Sequence, residues 1–85
     1  MDKIRIENVN RTGLHDLFES YFPIPYGRTL DALYDYLSWW DKELTIELDE
    51  SSLQATLEDR YYDKLLRMLR DAAEENPKIT LVICA

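Results

Sequence analysis

Three short stretches patterned as strands, each separated from the next by helical sequence, leave this chain few ways to fold. Lys3 to Glu7 alternates strictly, with Ile4 and Ile6 on one side and charges on the other. Leu44, Ile46 and Leu48 alternate in the same way with Thr45, Glu47 and Asp49. Both read as half-exposed strands. Ile79 to Cys84 is apolar on both faces except at Thr80 and is expected to be the best-buried strand. Strands separated by helices pair in parallel through crossovers. The expected class is therefore α/β in the order βααβααβ, a small three-stranded parallel sheet packed with three to four helices. Two strands with one charged face place the helices mainly on the other side. At 85 residues there is room for one modest core, so 1–85 reads as a single domain.

Thr12 is the expected N-cap of the first helix, whose apolar stripe is Leu14, Leu17, Phe18 and Tyr21. The helix cannot run far past Phe22, because Pro23 disfavours helical backbone in the residue before it. Pro23-Ile24-Pro25-Tyr26-Gly27 reads as a stiff connector in which Gly27 permits a sharp bend. A second helix follows with Thr29 as N-cap, and Leu30, Leu33, Leu37 and Trp40 recur at inward-facing intervals. Neighbouring residues lie about 100° apart on a helix, so Trp39 projects towards the Asp35 side instead. Ser51 with Gln54 forms a capping-box pattern for a short third helix. The last helix is expected from Asp59 or Arg60, burying Tyr62, Leu65, Leu66, Leu69, Ala72 and Ala73. Asp63–Arg67 and Arg67–Asp71 are spaced as charge pairs on its outer side, and Pro77 lies beyond its end.

The second helix carries the unusual chemistry. Asp31 and Asp35 stand four residues apart on one face, beside Tyr34 and Ser38. Like charges at that spacing weaken a helix by about 0.2–0.5 kcal/mol. The helix dipole offsets part of this at Asp31, in the first turn, and less at Asp35. The net charge is -7, from 17 acidic against 10 basic residues. That balance argues against nucleic acid as a partner and fits a basic protein partner or plain solubility.

Other function classes find little support. Paired carboxylates serve as acid and base in glycoside hydrolysis, but that chemistry needs a deep sugar-binding cleft. The chain carries no phosphate-binding glycine loop, nucleophile motif or zinc-ligand spacing. No enzymatic activity, metal or cofactor is expected. His15 has no partner pattern around it and is expected at the surface or its boundary. Cys84 is the only cysteine, which excludes an internal disulfide, and reads as a small, buried or half-buried hydrophobe. Neither a signal-peptide apolar region nor a membrane-length run is present, so the expected setting is cytoplasmic, with no membrane partner.

The run Tyr26-Gly27-x-x-Leu30-Asp31-Ala32-Leu33-Tyr34-Asp35, with Trp40, the element order and the length, resembles the barstar family of intracellular inhibitors of barnase-type ribonucleases. The resemblance extends from the first strand to Ile79-Thr80-Leu81-Val82. It implies that the second helix and the loop before it plug the active site of a secreted, basic ribonuclease, without metal or cofactor. Position by position, it makes Asp35 the principal acidic anchor and Asp31 its neighbour on the same face. Tyr34 stands where the family often has tryptophan, Gly27 matches the loop glycine, and Thr29 replaces an asparagine. Trp40 matches an aromatic at the interface edge, Tyr26 a loop tyrosine, and Asp71 a glutamate that adds a peripheral contact. Pro25 occupies the place of a second contacting tyrosine, and Tyr36 and Pro77 replace the family's two cysteines.

The implied mechanism has a plain physical basis. A ribonuclease holds phosphate with arginine, lysine and histidine, and carboxylates on a rigid helix can occupy the phosphate positions through charge-assisted bonds. The expected partner is thus a basic, barnase-like ribonuclease bound by a monomer. An acidic immunity module of the same fold, directed at another basic protein or toxin, is the alternative.

Overall fold

The computed structural model describes residues 2–22 and 26–84. The proposed Pro23-Ile24-Pro25 connector, Pro25 included, lies outside the described residues. Seven elements follow one another: β1 (Asp2–Ile6), α1 (Arg11–Tyr21), α2 (Leu30–Ser38), β2 (Leu44–Asp49), α3 (Glu50–Thr56), α4 (Asp59–Glu75) and β3 (Ile79–Cys84). The sheet order is β1-β2-β3 and both pairings are parallel, with Ile4 opposite Ile46 and Ile46 opposite Leu81. This is the α/β, βααβααβ arrangement that the strand and helix spacing predicts.

One face of the sheet is buried. Ile4, Ile6, Leu44, Ile46, Leu48 and Ile79 pack there against Leu14 and Phe18 of α1, Leu33 and Leu37 of α2, and Leu65, Leu69 and Ala72 of α4. The opposite face is open and ionic. Glu47 sits between Lys3 (3.1 Å) and Arg5 (3.2 Å), and Arg5 reaches Asp49 at 3.4 Å. Parallel sheets are usually covered on both sides. Here the outer row of charges takes the place of a second helical layer.

Burial within the sheet departs from expectation. β2, flanked on both sides, has its core face wholly buried, whereas β3 is an edge and leaves Val82 37% and Ile83 38% exposed. Hydrophobic content makes β3 strand-like, but position in the sheet decides burial, and the two come apart at this edge.

Two helix starts also differ from the reading above. Asn10, not Thr12, caps α1, its Oδ1 accepting from Gly13 N at 2.8 Å. Asp49, not Ser51, caps α3, accepting from Ser52 N at 3.3 Å. In each case an amide or carboxylate two residues upstream competes as a cap with the hydroxyl. Thr29 caps α2 as expected, accepting from Ala32 N at 3.1 Å. Along α4, Met68 joins the buried side, while Leu66 and Ala73 are only half-buried. The charge pairs of Arg67 with Asp63 and Asp71 are not formed among the described residues. For exposed side chains, lost rotamer freedom cancels much of the Coulomb gain.

Candidate functional site

Helix α2 is held at three places. At its start, Arg28 adopts a left-handed conformation with φ 55°, a cost of roughly 1–3 kcal/mol for a residue other than glycine. Its guanidinium meets Asp16 at 2.8 Å and Glu19 at 3.0 Å on α1. The bend therefore sits at Arg28, not at Gly27. Gly27 serves closeness instead, since a Cβ there would lie 3.3 Å from Ala32 Cβ on the helix.

The second hold is His15, which is 4% exposed rather than at the surface. Its Nδ1 lies 2.6 Å from Tyr26 Oη and its Nε2 2.8 Å from Tyr61 Oη. The imidazole ties the loop before α2 to α1 and α4. Burial, then the nearby Arg28 and Arg11 charges, lower its pKa, so the neutral ring is favoured. Burial also pushes the Tyr26 phenol up to about 12. Arg11 stacks over the Tyr61 ring at 4.3 Å and completes this corner.

The third hold is at the helix end. Buried Asn76 donates from Nδ2 to Leu37 O (2.9 Å) and Trp40 O (2.7 Å), two carbonyls at the C-terminal end of the helix. Half-buried Trp40 packs with Tyr21 and Phe22, both at 5.6 Å between ring centroids. Tyr36 stacks on Phe22 at 4.0 Å between ring centroids.

On this fixed helix Asp31 and Asp35 are both exposed. Among the described residues neither side chain has a hydrogen bond or ion pair. Asp31 and the half-buried Tyr34 line a groove of about 420 Å³ between α2 and α4, whose far wall holds Lys64, Arg67 and Asp71. Asp31 and Thr29 also line a second recess of about 360 Å³ with Arg11, Arg28 and Lys64. Asp35 faces the other flank of α2. The fold thus brings Asp31, Tyr34 and Asp71 into one groove and leaves Asp35 outside it. Gly27 is exposed at the loop, and Tyr26 turns its hydroxyl inward to His15.

The basic residues of the groove had no signal in the sequence. Lys64 and Arg67 approach α2 only because α4 packs beside it. Among the described residues, no three His, Cys, Asp or Glu side chains gather as a metal site would require. No helix among them is long and apolar enough to cross a membrane.

Residues 5–84 match the family described as Barstar (barnase inhibitor). The chain belongs to the barstar family. It is also 42% identical over 55 residues to "Putative ribonuclease inhibitor YrdF" of Bacillus subtilis (strain 168). That match spans 64% of this chain and 60% of the relative's length. As a barstar-family protein the chain has the expected sheet and helices, and exposed Asp31 and Asp35 stand on the second of the two helices between the first two strands.

Proposed function

We propose that this barstar-family protein inhibits a ribonuclease, seating α2 and the loop before it in the enzyme's active site. Asp31 and Asp35 take the places of RNA phosphates. Tyr26, Gly27, Thr29, Tyr34 and Trp40 frame the contact, and Asp71 adds a charge at its edge. The observation that carries this reading is a pair of exposed carboxylates, without a partner among the described residues, on a helix held at both ends. Free carboxylates on a pre-set helix give a charged partner strong bonds without first breaking internal ones. The inhibitor acts as a monomer in the cytoplasm, where it silences any copy of a secreted ribonuclease that folds before export.

The mixed walls of the α2–α4 groove favour a second reading of the partner. Lys64 and Arg67 beside Asp31 and Asp71 suit a surface with acidic residues among its basic ones, as a toxin other than a barnase-type enzyme can present. Titrating a barnase-type ribonuclease with the protein tests the first reading. Expected is stoichiometric loss of RNA cleavage; undiminished cleavage at excess inhibitor removes the barnase-type partner. Asp35→Ala is expected to weaken binding far more than Asp71→Ala, whose effect stays below about 1 kcal/mol. Equal and small effects would move the contact away from α2.

A further inference from the structure

Trp39 is 80% exposed, far more than any other large hydrophobic side chain described. It stands at the C-cap of α2, outside the packed cluster of Tyr21, Phe22, Tyr36 and Trp40. With Ala32, Asp35, Tyr36, Trp40 and Asp41 it lines a cleft of about 480 Å³ on the flank of α2 away from the Asp31–Asp71 groove. Asp35 and Trp39 are four residues apart, so they share a helix face. Among the described residues neither the Asp35 nor the Asp41 carboxylate is ion-paired. Lys78 gives its Nζ to the Asp41 backbone carbonyl at 2.7 Å and not to the carboxylate.

Aromatic walls joined to unneutralised carboxylates select a particular kind of ligand. An apolar side chain would bury the carboxylates without a partner. An ammonium is compact and strongly hydrated, whereas a guanidinium is planar, weakly hydrated, stacks on aromatic rings and bonds carboxylates in a fork. The geometry points to an arginine side chain of a partner protein as the occupant, stacked on Trp39 and bonded to Asp35 and Asp41. Phosphate mimicry by Asp31 and Asp35 needs no tryptophan at this place. The cleft therefore adds a second anchoring point and selects partners that carry an arginine beside their phosphate site. Only the identity of the protein that supplies the arginine rests on the inhibitor reading.

The test is an NMR titration of the indole N–H signals, assigned with Trp39→Phe. The probes are N-acetyl-arginine methylamide and its lysine, leucine and uncharged citrulline counterparts. Expected is a saturable shift of the Trp39 signal with the arginine probe, smaller with lysine, absent with citrulline and leucine, and lost in Asp35→Asn and Asp41→Asn. No saturable shift, or equal shifts with lysine, citrulline or leucine, overturns the assignment. Because no ribonuclease is present, this result stands apart from the inhibition assay. Inhibition without an arginine response refutes the cleft alone, and an arginine response without inhibition refutes the ribonuclease reading alone. Where a ribonuclease is bound, Trp39→Ala is expected to raise Kd roughly 5- to 30-fold. An unchanged Kd removes the cleft from that interface.

Discussion

Replacing Asn76 by alanine tests whether the far end of α2 is fixed by one side chain. The amide makes three hydrogen bonds: Nδ2 to Leu37 O at 2.9 Å, Nδ2 to Trp40 O at 2.7 Å, and Oδ1 from Lys78 N at 3.0 Å. Each contributes about 1 kcal/mol net, more when its loss strands a buried group. Leu37 O keeps the Trp40 N–H at 3.3 Å, and exposed Lys78 can turn its N–H to water. The uncompensated loss centres on Trp40 O, and the sum is about 2–3 kcal/mol. For a domain of this size that lowers Tm by about 10–20 °C. Asn76→Asp sharpens the test, because it keeps the acceptor for Lys78 N and sets a negative charge against two carbonyl oxygens. Its folded-state pKa is then raised above the unfolded one, so its deficit against wild type narrows as pH falls towards 4. Urea unfolding followed by circular dichroism at pH 7 and pH 4.5 reads both variants. A loss below about 1 kcal/mol in Asn76→Ala, or an Asn76→Asp protein as stable as wild type, refutes the reasoning.

Three further outcomes are expected. His15 has a folded-state pKa below its ordinary value of 6.5, so the unfolded chain binds the proton first and stability falls as pH drops below 6.5. His15→Gln flattens this slope in urea unfolding between pH 7.5 and 5.5, and a flat wild-type profile there rules out the buried neutral ring. Gly27→Ala places a Cβ 3.3 Å from Ala32 Cβ; it costs about 1 kcal/mol in thermal unfolding and weakens ribonuclease binding more than it weakens the fold, whereas unchanged affinity would show that the loop need not approach α2 closely. Raising salt from about 0.05 to 0.5 M slows association with a ribonuclease about tenfold in stopped-flow measurements, and a salt-independent rate denies the exposed aspartates a steering role.

What the sequence disclosed follows the range of the forces involved. Alternation and helical spacing are local, so the order of elements, the Thr29 cap and the outward turn of Trp39 against Trp40 were all legible. Caps are local too, but several polar side chains compete within a few residues, and Asn10 and Asp49 prevailed over Thr12 and Ser51. His15 was opaque for another reason: its partners Tyr26 and Tyr61 are 11 and 46 residues away, and no spacing rule links them. The exposure of β3 and the cations facing Asp31 likewise arise only when distant segments meet. Of the proposed contact residues, spacing set Asp31, Tyr34 and Asp35 side by side on one helix, whereas Tyr26, Gly27, Thr29, Trp40 and Asp71, the last on α4, were suggested by the family resemblance.

The parallel register has a consequence for how the protein comes into being. Ile4 must find Ile46, and Ile46 must find Leu81, before either ladder exists. No hairpin can nucleate this sheet, so closing long loops precedes any reward from strand pairing, and folding is slower than for a helical bundle of equal length. Helix α2 lies inside the first of those loops, and α4, against which it packs, lies inside the second. A chain that has not yet gathered all three strands carries both aspartates but presents them on no fixed surface. The face proposed for recognition is thus complete only once all three strands are paired, and incomplete chains are expected to compete poorly for a partner of the finished protein.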